Sequence, residues 1–455
     1  MSCSRYFYFY FLYIWSKLGV QKRTKGVFSH EMNPMTRFCS LMRCSFPIIQ
    51  APMAGGPSTV EMARAALNAG SVASLAAAYL LPGAIHSEYH QLCALAEENK
   101  KKAAAKPPSC CINLFLPSVS SAIGRAYGCS EDDFIVAVDL VEELIRSSLS
   151  FIDETSEEGR LWRKKMVLDE VRNAEERTRI LFERQFDMVL QLRPMCCSFA
   201  MGCPTSLLVH ELHNVGILVM ATATTLEESN ALRSVGVDMI VLQGKSAGGH
   251  LSTHAAPQTM YQVLQQEAQL LDTDSLVKLV LLNHSNVVSS NPILFIAAGG
   301  ISTKHDVQRM IGYGVAAVQV GSALLLARES GVSQWHRHAL CQWSLQRGTI
   351  LTVAFSGRLA RGIPNSFTKL AVERLFQPPG NMSTPNEMRD YWPKKSGFLT
   401  FPQQNIVTRS LRNIAAGAAT VDGAEFLSLW CGESMSKCAG LYADRTTEEI
   451  LASLF

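Results

Sequence analysis

The sequence predicts an α/β protein, a (β/α)8 TIM barrel with a helical insertion and a helical C-terminal region. Three observations predict it. Eight short, nearly continuous apolar runs alternate with helix-like segments, as parallel strands buried on both faces require. Three of the runs end in glycine junctions, at VLQGKSAGGH (241–250), FIAAGG (295–300) and VQVGS (318–322). Helix-like segments open on capping residues and close on a glycine just before the next strand. An open dinucleotide-binding sheet is set aside, because no G-x-G-x-x-G follows an early strand.

The strand candidates are PIIQAPM (47–53), SVASLA (71–76), CCINLF (110–115), CCSFAM (196–201), GILVMATA (216–223), MIVLQG (239–244), ILFIAAGG (293–300) and AAVQVGS (316–322). Between them, Ser58 precedes TVEMARAALNAG with Glu61 three residues on, the spacing of a capping box. Thr225 opens LEESNALRSVG and Ser302 opens TKHDVQRMIGYG. About eighty residues separate Phe115 from Cys196, far more than one crossover needs. The charged, helix-forming stretch within them reads as an insertion, about 119–190, that ends in the regular barrel helix.

The barrel is expected over 41–330, and 331–455 as a helical substrate or cap region broken by QPPGNMSTPNE (377–387). Residues 1–40 read as an extension. Its apolar run Tyr6–Trp15 is shorter than the ~20 residues that span a bilayer. Three readings of it stand open: a signal anchor, a targeting segment, or sequence upstream of a start at Met32 or Met35.

Charged residues at 18% and hydrophobic ones at 47% describe an ordinary globular chain. A net charge of +3 and no basic stripe interleaved with aromatics argue against a nucleic-acid partner. Thirteen cysteines include no C-x-x-C, and Cys110–Cys111 and Cys196–Cys197 sit inside apolar runs. Free thiols in that number point to a reducing compartment, the cytoplasm, with a mitochondrial or membrane-anchored site left open by the N-terminal segment. The sequons at Asn283 and Asn381 are then idle.

In this fold active sites lie at the C-terminal ends of the strands, and phosphate binds after the last two. Gly299–Gly300 and Gly321–Ser322 fall there, each able to offer bare backbone N–H groups to an anion. QAPMAGG (50–56) ends the first strand and could lie along a flat ring. Asn113 and Gln243, amides inside apolar strands, need hydrogen-bond partners that a ring edge would supply. His250 follows Gly248 and Gly249 at a strand end, so its ring should face the barrel mouth and handle a proton. His254 is the alternative. His210 and His213 in VHELH do not fit H-E-x-x-H, and no metal is expected.

Taken together, PIIQAPMAGGPST, INLFLP, SFAMGCP, ATATT, QGKSAGGH, AAGGIS and VQVGSALLLARES resemble the nitronate monooxygenase family, formerly the 2-nitropropane dioxygenases, and its class I branch most. They come in the family's order over roughly 47–330. AFSGRLARGIPN (354–365) and EFLSLWCGES (425–434) extend the resemblance into the tail. It implies FMN as cofactor, contacted by Gln50, Ala51, Pro52, Met53, Asn113, Gln243, Gly248, Gly300, Gln319, Val320, Gly321 and Ser322. His250 matches the family's catalytic histidine, which would deprotonate a neutral nitroalkane or position an anionic nitronate.

The implied reaction is oxidation of a small anionic nitronate, such as propionate 3-nitronate, by O2 to a carbonyl compound and nitrite or nitrate. Arg358 and Arg361 are candidate sources of positive charge. The chain departs from the family pattern at Ser246, where a glutamate is usual, at SFAMG, and at Phe401, where a tyrosine is expected. Two rivals are an FMN- and NAD(P)H-dependent reductase of enoyl thioesters and a flavin-binding protein without catalysis.

Overall fold

A computed structural model describes residues 33–98, 107–117, 130–149, 155–257, 260–284, 292–376, 396–417 and 421–455. The apolar run Tyr6–Trp15, Asn381 and QPPGNMSTPNE lie outside the described residues. Pro34–Phe455 forms one compact unit.

All eight predicted strands form: β1 (Ile48–Gln50), β2 (Ala73–Ala76), β3 (Cys110–Phe115), β4 (Cys196–Ala200), β5 (Leu218–Ala223), β6 (Met239–Gln243), β8 (Leu294–Ala298) and β9 (Ala317–Val320). They pair in parallel in the order β1-β9-β8-β6-β5-β4-β3-β2. A parallel bridge between Ile49 and Val72 brings the two ends together, with Gln50 N donating to Val72 O at 2.9 Å. The result is a nearly closed TIM barrel.

Strand alternation sorts the side chains. Ile49, Cys111, Cys196, Met220, Met239, Ile296 and Ala317 pack in one cluster inside the barrel's lower half. Their neighbours Ile48, Ile112, Cys197, Val219, Ile240, Ala297 and Val318 belong to the outer layer beneath the helices. The helix Pro34–Met42, most of which the sequence reading assigned to the extension, sends fully buried Phe38 and Met42 into the lower cluster. It serves as the barrel floor.

Helix boundaries follow the expected signals with two shifts of one residue. Thr59, not Ser58, caps Val60–Asn68, accepting from Met62 N without a reciprocal Glu61 bond. Ser58 is used instead by the β1 loop, where its Oγ accepts from Met53 N at 2.9 Å. Thr303, not Ser302, caps Lys304–Tyr313, and its box partner is Asp306. Thr225 caps Leu226–Ser234 as expected. Gly70, Gly236 and Gly314, at φ of 76°, 87° and 107°, turn the chain from helix to strand where a side chain would be strained.

Between β3 and β4 lie helices Glu131–Ser148, Glu157–Arg172 and Ala174–Leu192. Arg163 bonds both oxygens of Glu142 at 2.7 Å, tying the first to the second. Both pack against the tail helix Gln403–Gly417. The tail is not wholly helical. Strands β10 (Ile350–Thr352) and β11 (Ala360–Gly362) pair antiparallel with each other, and β11 with a two-residue strand β7 (Gly249–His250) above the barrel. Among the described residues, no helix is long and apolar enough to cross a membrane.

Candidate active site

Above the apolar lower layers the barrel interior turns polar. The inward positions of β3, β4, β6 and β9 carry Asn113, Ser198, Gln243 and Gln319, and these line a cavity of about 440 Å³ at the C-terminal ends of the strands. Ala51, Pro52, Met53, Gly248, Gly300, Gly321 and Ser322 share its wall. Gln50 and Val320 do not. Alternation turns both outward, and each is buried behind the wall. Gln50 is satisfied there, with Nε2 donating to Ala51 O and Ser58 Oγ while Oε1 accepts from Ser74 N at 2.9 Å. Val320 contributes its carbonyl, which accepts from Ala51 N.

The amides in the wall are only partly used by the protein. Asn113 Nδ2 donates to Ser198 O and Oγ at 3.3 and 3.0 Å. Gln319 makes no side-chain hydrogen bond among the described residues. Gln243 is occupied: Nε2 donates to His250 O at 3.3 Å, and Oε1 accepts from Ser252 N at 2.8 Å. It therefore fixes the loop that carries His250.

The glycine junctions form a cradle. Gly299 and Gly300 adopt φ of 104° and 70°, and a Cβ on Gly300 would come within 3.0 Å of Ser246 Oγ. Ser246 and Thr273 hydroxyls lie 3.1 Å apart, and Thr273 Oγ1 donates to Gly299 O at 2.8 Å. Ser246, the departure noted above, thus helps brace this turn. Gly248 is required by packing, since its Cβ would stand 2.4 Å from Gly432 N.

His250 sits on β7, held by β11 and lining the cavity. Its Nε2 lies 2.8 Å from Ser356 Oγ, and that hydroxyl donates in turn to Arg358 O at 3.2 Å. With the hydroxyl proton so placed, Nε2 carries the ring proton and Nδ1 is the open lone pair. Burial, then the charges of Arg358 and Arg412, pull its pKa down to about 3. The ring is neutral. Trp430 stands against it, ring centroids 5.6 Å apart.

Neither arginine singled out in the sequence reaches the cavity wall. Arg358 is fully buried behind Ser356, donating from Nη2 to Thr253 O. Arg361 bonds Lys245 O at 2.8 Å and pairs with Glu433 at 2.9 Å. The cation on the wall is Arg412, on the tail helix. Its Nη2 donates to Asn405 O and Oδ1, while Nη1 has no partner among the described residues. Tyr79, whose hydroxyl bonds Asn405, completes that side. His254 is spent elsewhere, its Nε2 3.1 Å from Thr222 O. His213 pairs with Asp238, and no cluster of three metal-ligating side chains exists among the described residues.

The sequence pattern of nitronate monooxygenase matches residues 148–454. The chain belongs to the nitronate monooxygenase family, and it is an oxidoreductase. A probable nitronate monooxygenase of Staphylococcus saprophyticus is 28% identical over 408 residues, covering 89% of this chain and 93% of the relative. Among solved structures, a nitroalkane oxidase from Streptomyces ansochromogenes superposes with a TM-score of 0.65 at 24% identity, covering 92% of this chain and 96% of that one. The enoyl reductase domain of MlnA from Bacillus amyloliquefaciens gives 0.54 at 11% identity, covering 92% and 95%. At those identities the two structures speak for the fold alone.

Sequence reasoning missed Arg412, Tyr79, Ser356 and Trp430 as wall or support residues of this family member. Tyr79 follows a strand end in LAAAYL, a position that could have been weighed. Arg412 carries no comparable signal, because its place depends on how the tail folds back over the barrel.

Proposed function

We propose that this chain is an FMN-dependent enzyme that oxidises small alkyl nitronates, propionate 3-nitronate among them, with O2. The products would be a carbonyl compound and nitrite or nitrate. FMN, when bound, supplies the electron transfer between nitronate and oxygen. The donor set suits it. The Gly299–Gly300 and Gly321–Ser322 turns offer backbone N–H groups to an anion, and a side chain at Gly300 would crowd Ser246 Oγ at 3.0 Å. Asn113 Oδ1 and the Gln319 amide offer hydrogen bonds to a polar ring edge, and Ala51–Met53 a flat apolar strip.

The observation that carries the reading is the convergence of neutral His250 and cationic Arg412 on one cavity wall. A nitronate is an anion with its charge on oxygen, so Arg412 attracts and orients it. A histidine with a pKa near 3 is a feeble base toward a neutral carbon acid. It remains a good neutral partner for a bound anion, so of the two roles implied above we assign positioning of the nitronate. The Trp430 ring and the tail helix limit water around it, and the tail region acts as the substrate-side cap. The free cysteines among the described residues accord with the cytoplasm.

Oxygen-consumption assays on FMN-loaded protein test this. Turnover should be at least tenfold faster with propionate 3-nitronate than with the neutral nitro form freshly dissolved at the same pH. Equal rates would return His250 to the role of base. No turnover with either, together with flavin reduction by NADH, would favour an enoyl-thioester reductase.

A further inference from the structure

The barrel floor holds a feature that the active site does not use. Helix Pro34–Met42 ends at Arg43, which adopts φ 51°, and Cys44 N then donates to Cys39 O at 3.1 Å. Taking Arg43 as the first residue past the cap, this is the 6→1 bond of a Schellman motif. The two residues it joins are those whose side chains meet across such a helix end. Here both are cysteines, and the Cys44 thiol hydrogen-bonds Cys39. Each is half-buried and within reach of solvent.

We propose that Cys39 and Cys44 form an oxidisable dithiol, a modification site that closes to a disulfide across the end of the floor helix. The oxidant is a hydroperoxide. The Cys39 thiolate attacks the peroxide O–O bond, taking one oxygen as sulfenic acid and releasing water or an alcohol. Cys44 sulfur then displaces hydroxide from that sulfenic acid, and its proton leaves with the hydroxide as water. Two thiols and one hydroperoxide become one disulfide, one water, and one further water or alcohol.

Two observations favour this pair over the buried cysteines among the described residues. The hydrogen bond from Cys44 lowers the Cys39 pKa, whereas burial raises those of Cys110, Cys197, Cys431 and Cys438. Cys111 and Cys196, the next thiols inward, are fully buried in the barrel interior and closed to an oxidant. Oxidation would fasten the helix that carries Phe38 and Met42 to the segment leading into β1.

The test is intact-mass and peptide mapping of the purified full-length protein after hydrogen peroxide treatment, with and without subsequent dithiothreitol. The expected result is loss of two hydrogens, mapped to a Cys39–Cys44 link and reversed by the reductant. In Cys44→Ser the same treatment should leave Cys39 as a sulfenic acid that dimedone traps, and in Cys39→Ser neither product should form. Oxygen uptake at Cys39 in the native chain without a disulfide, a link between other cysteines, or no change would each overturn the proposal. None of these outcomes depends on FMN or nitronate.

Discussion

In the proposed reaction His250 and Arg412 carry the chemistry, and each has its own signature. His250→Ala, by loosening the position of the nitronate, should lower turnover by about 100-fold while FMN affinity, read by fluorescence quenching, stays within about twofold. Arg412→Met removes a charge-assisted contact of ~1.5–3 kcal/mol, so KM for the nitronate should rise by roughly 10- to 150-fold with a smaller loss in kcat. The same substitution takes away one of the charges that hold the His250 pKa down. In the native enzyme, therefore, kcat/KM should show no inflection near 6.5 from His250, and in Arg412→Met that inflection should move up from about pH 3. A native break near 6.5 that vanishes in His250→Ala would contradict the electrostatic account. At this scale the sequence was legible in part. Asn113, Gln243 and His250 stood out as polar residues in or just past apolar strands, Gln319 came only with the resemblance, and all four line the cavity. The side chains of Gln50 and Val320 fall behind the wall, because a run of contacts taken over whole from a resemblance ignores that successive strand residues face opposite ways.

Glycine junctions join the elements to the site. Gly248 is the sharpest case, because its missing side chain lets the Cys431–Gly432 segment close on the β6–β7 loop. Gly248→Ala would set a Cβ 2.4 Å from Gly432 N, an overlap that backbone must relieve. It should cost on the order of 1–3 kcal/mol and displace His250, so both the melting temperature and turnover should fall. An unchanged melting temperature would show that the segment yields more freely than its packing implies. The eight barrel strands could be read from the sequence because burial on both faces makes them continuous apolar runs. The short strands β7, β10 and β11 could not, since two or three residues give no period to detect and β11 pairs with β7 from a distant part of the chain. The same reason hid Arg412, which reaches the cavity only through a tail helix seated against the insertion.

Across the whole molecule, two half-buried histidines tie stability to pH. Burial pulls His250 to about 3 and His336 to about 4, both below the ordinary value of 6.5. The unfolded chain binds these protons first, so stability present above 6.5 is lost as pH falls toward 4. The melting temperature should drop over that window, and His336→Phe should flatten the drop; an identical slope in the variant would remove His336 from the account. The central claim concerns what the barrel does with its cavity. It is tested most directly by anaerobic titration of the FMN-loaded protein with propionate 3-nitronate, following the visible flavin absorbance. The account predicts prompt bleaching by the nitronate, return of colour on admitting air, and no response to NADH. Protein that takes up no FMN, or flavin that ignores the nitronate and bleaches with NADH, would contradict it.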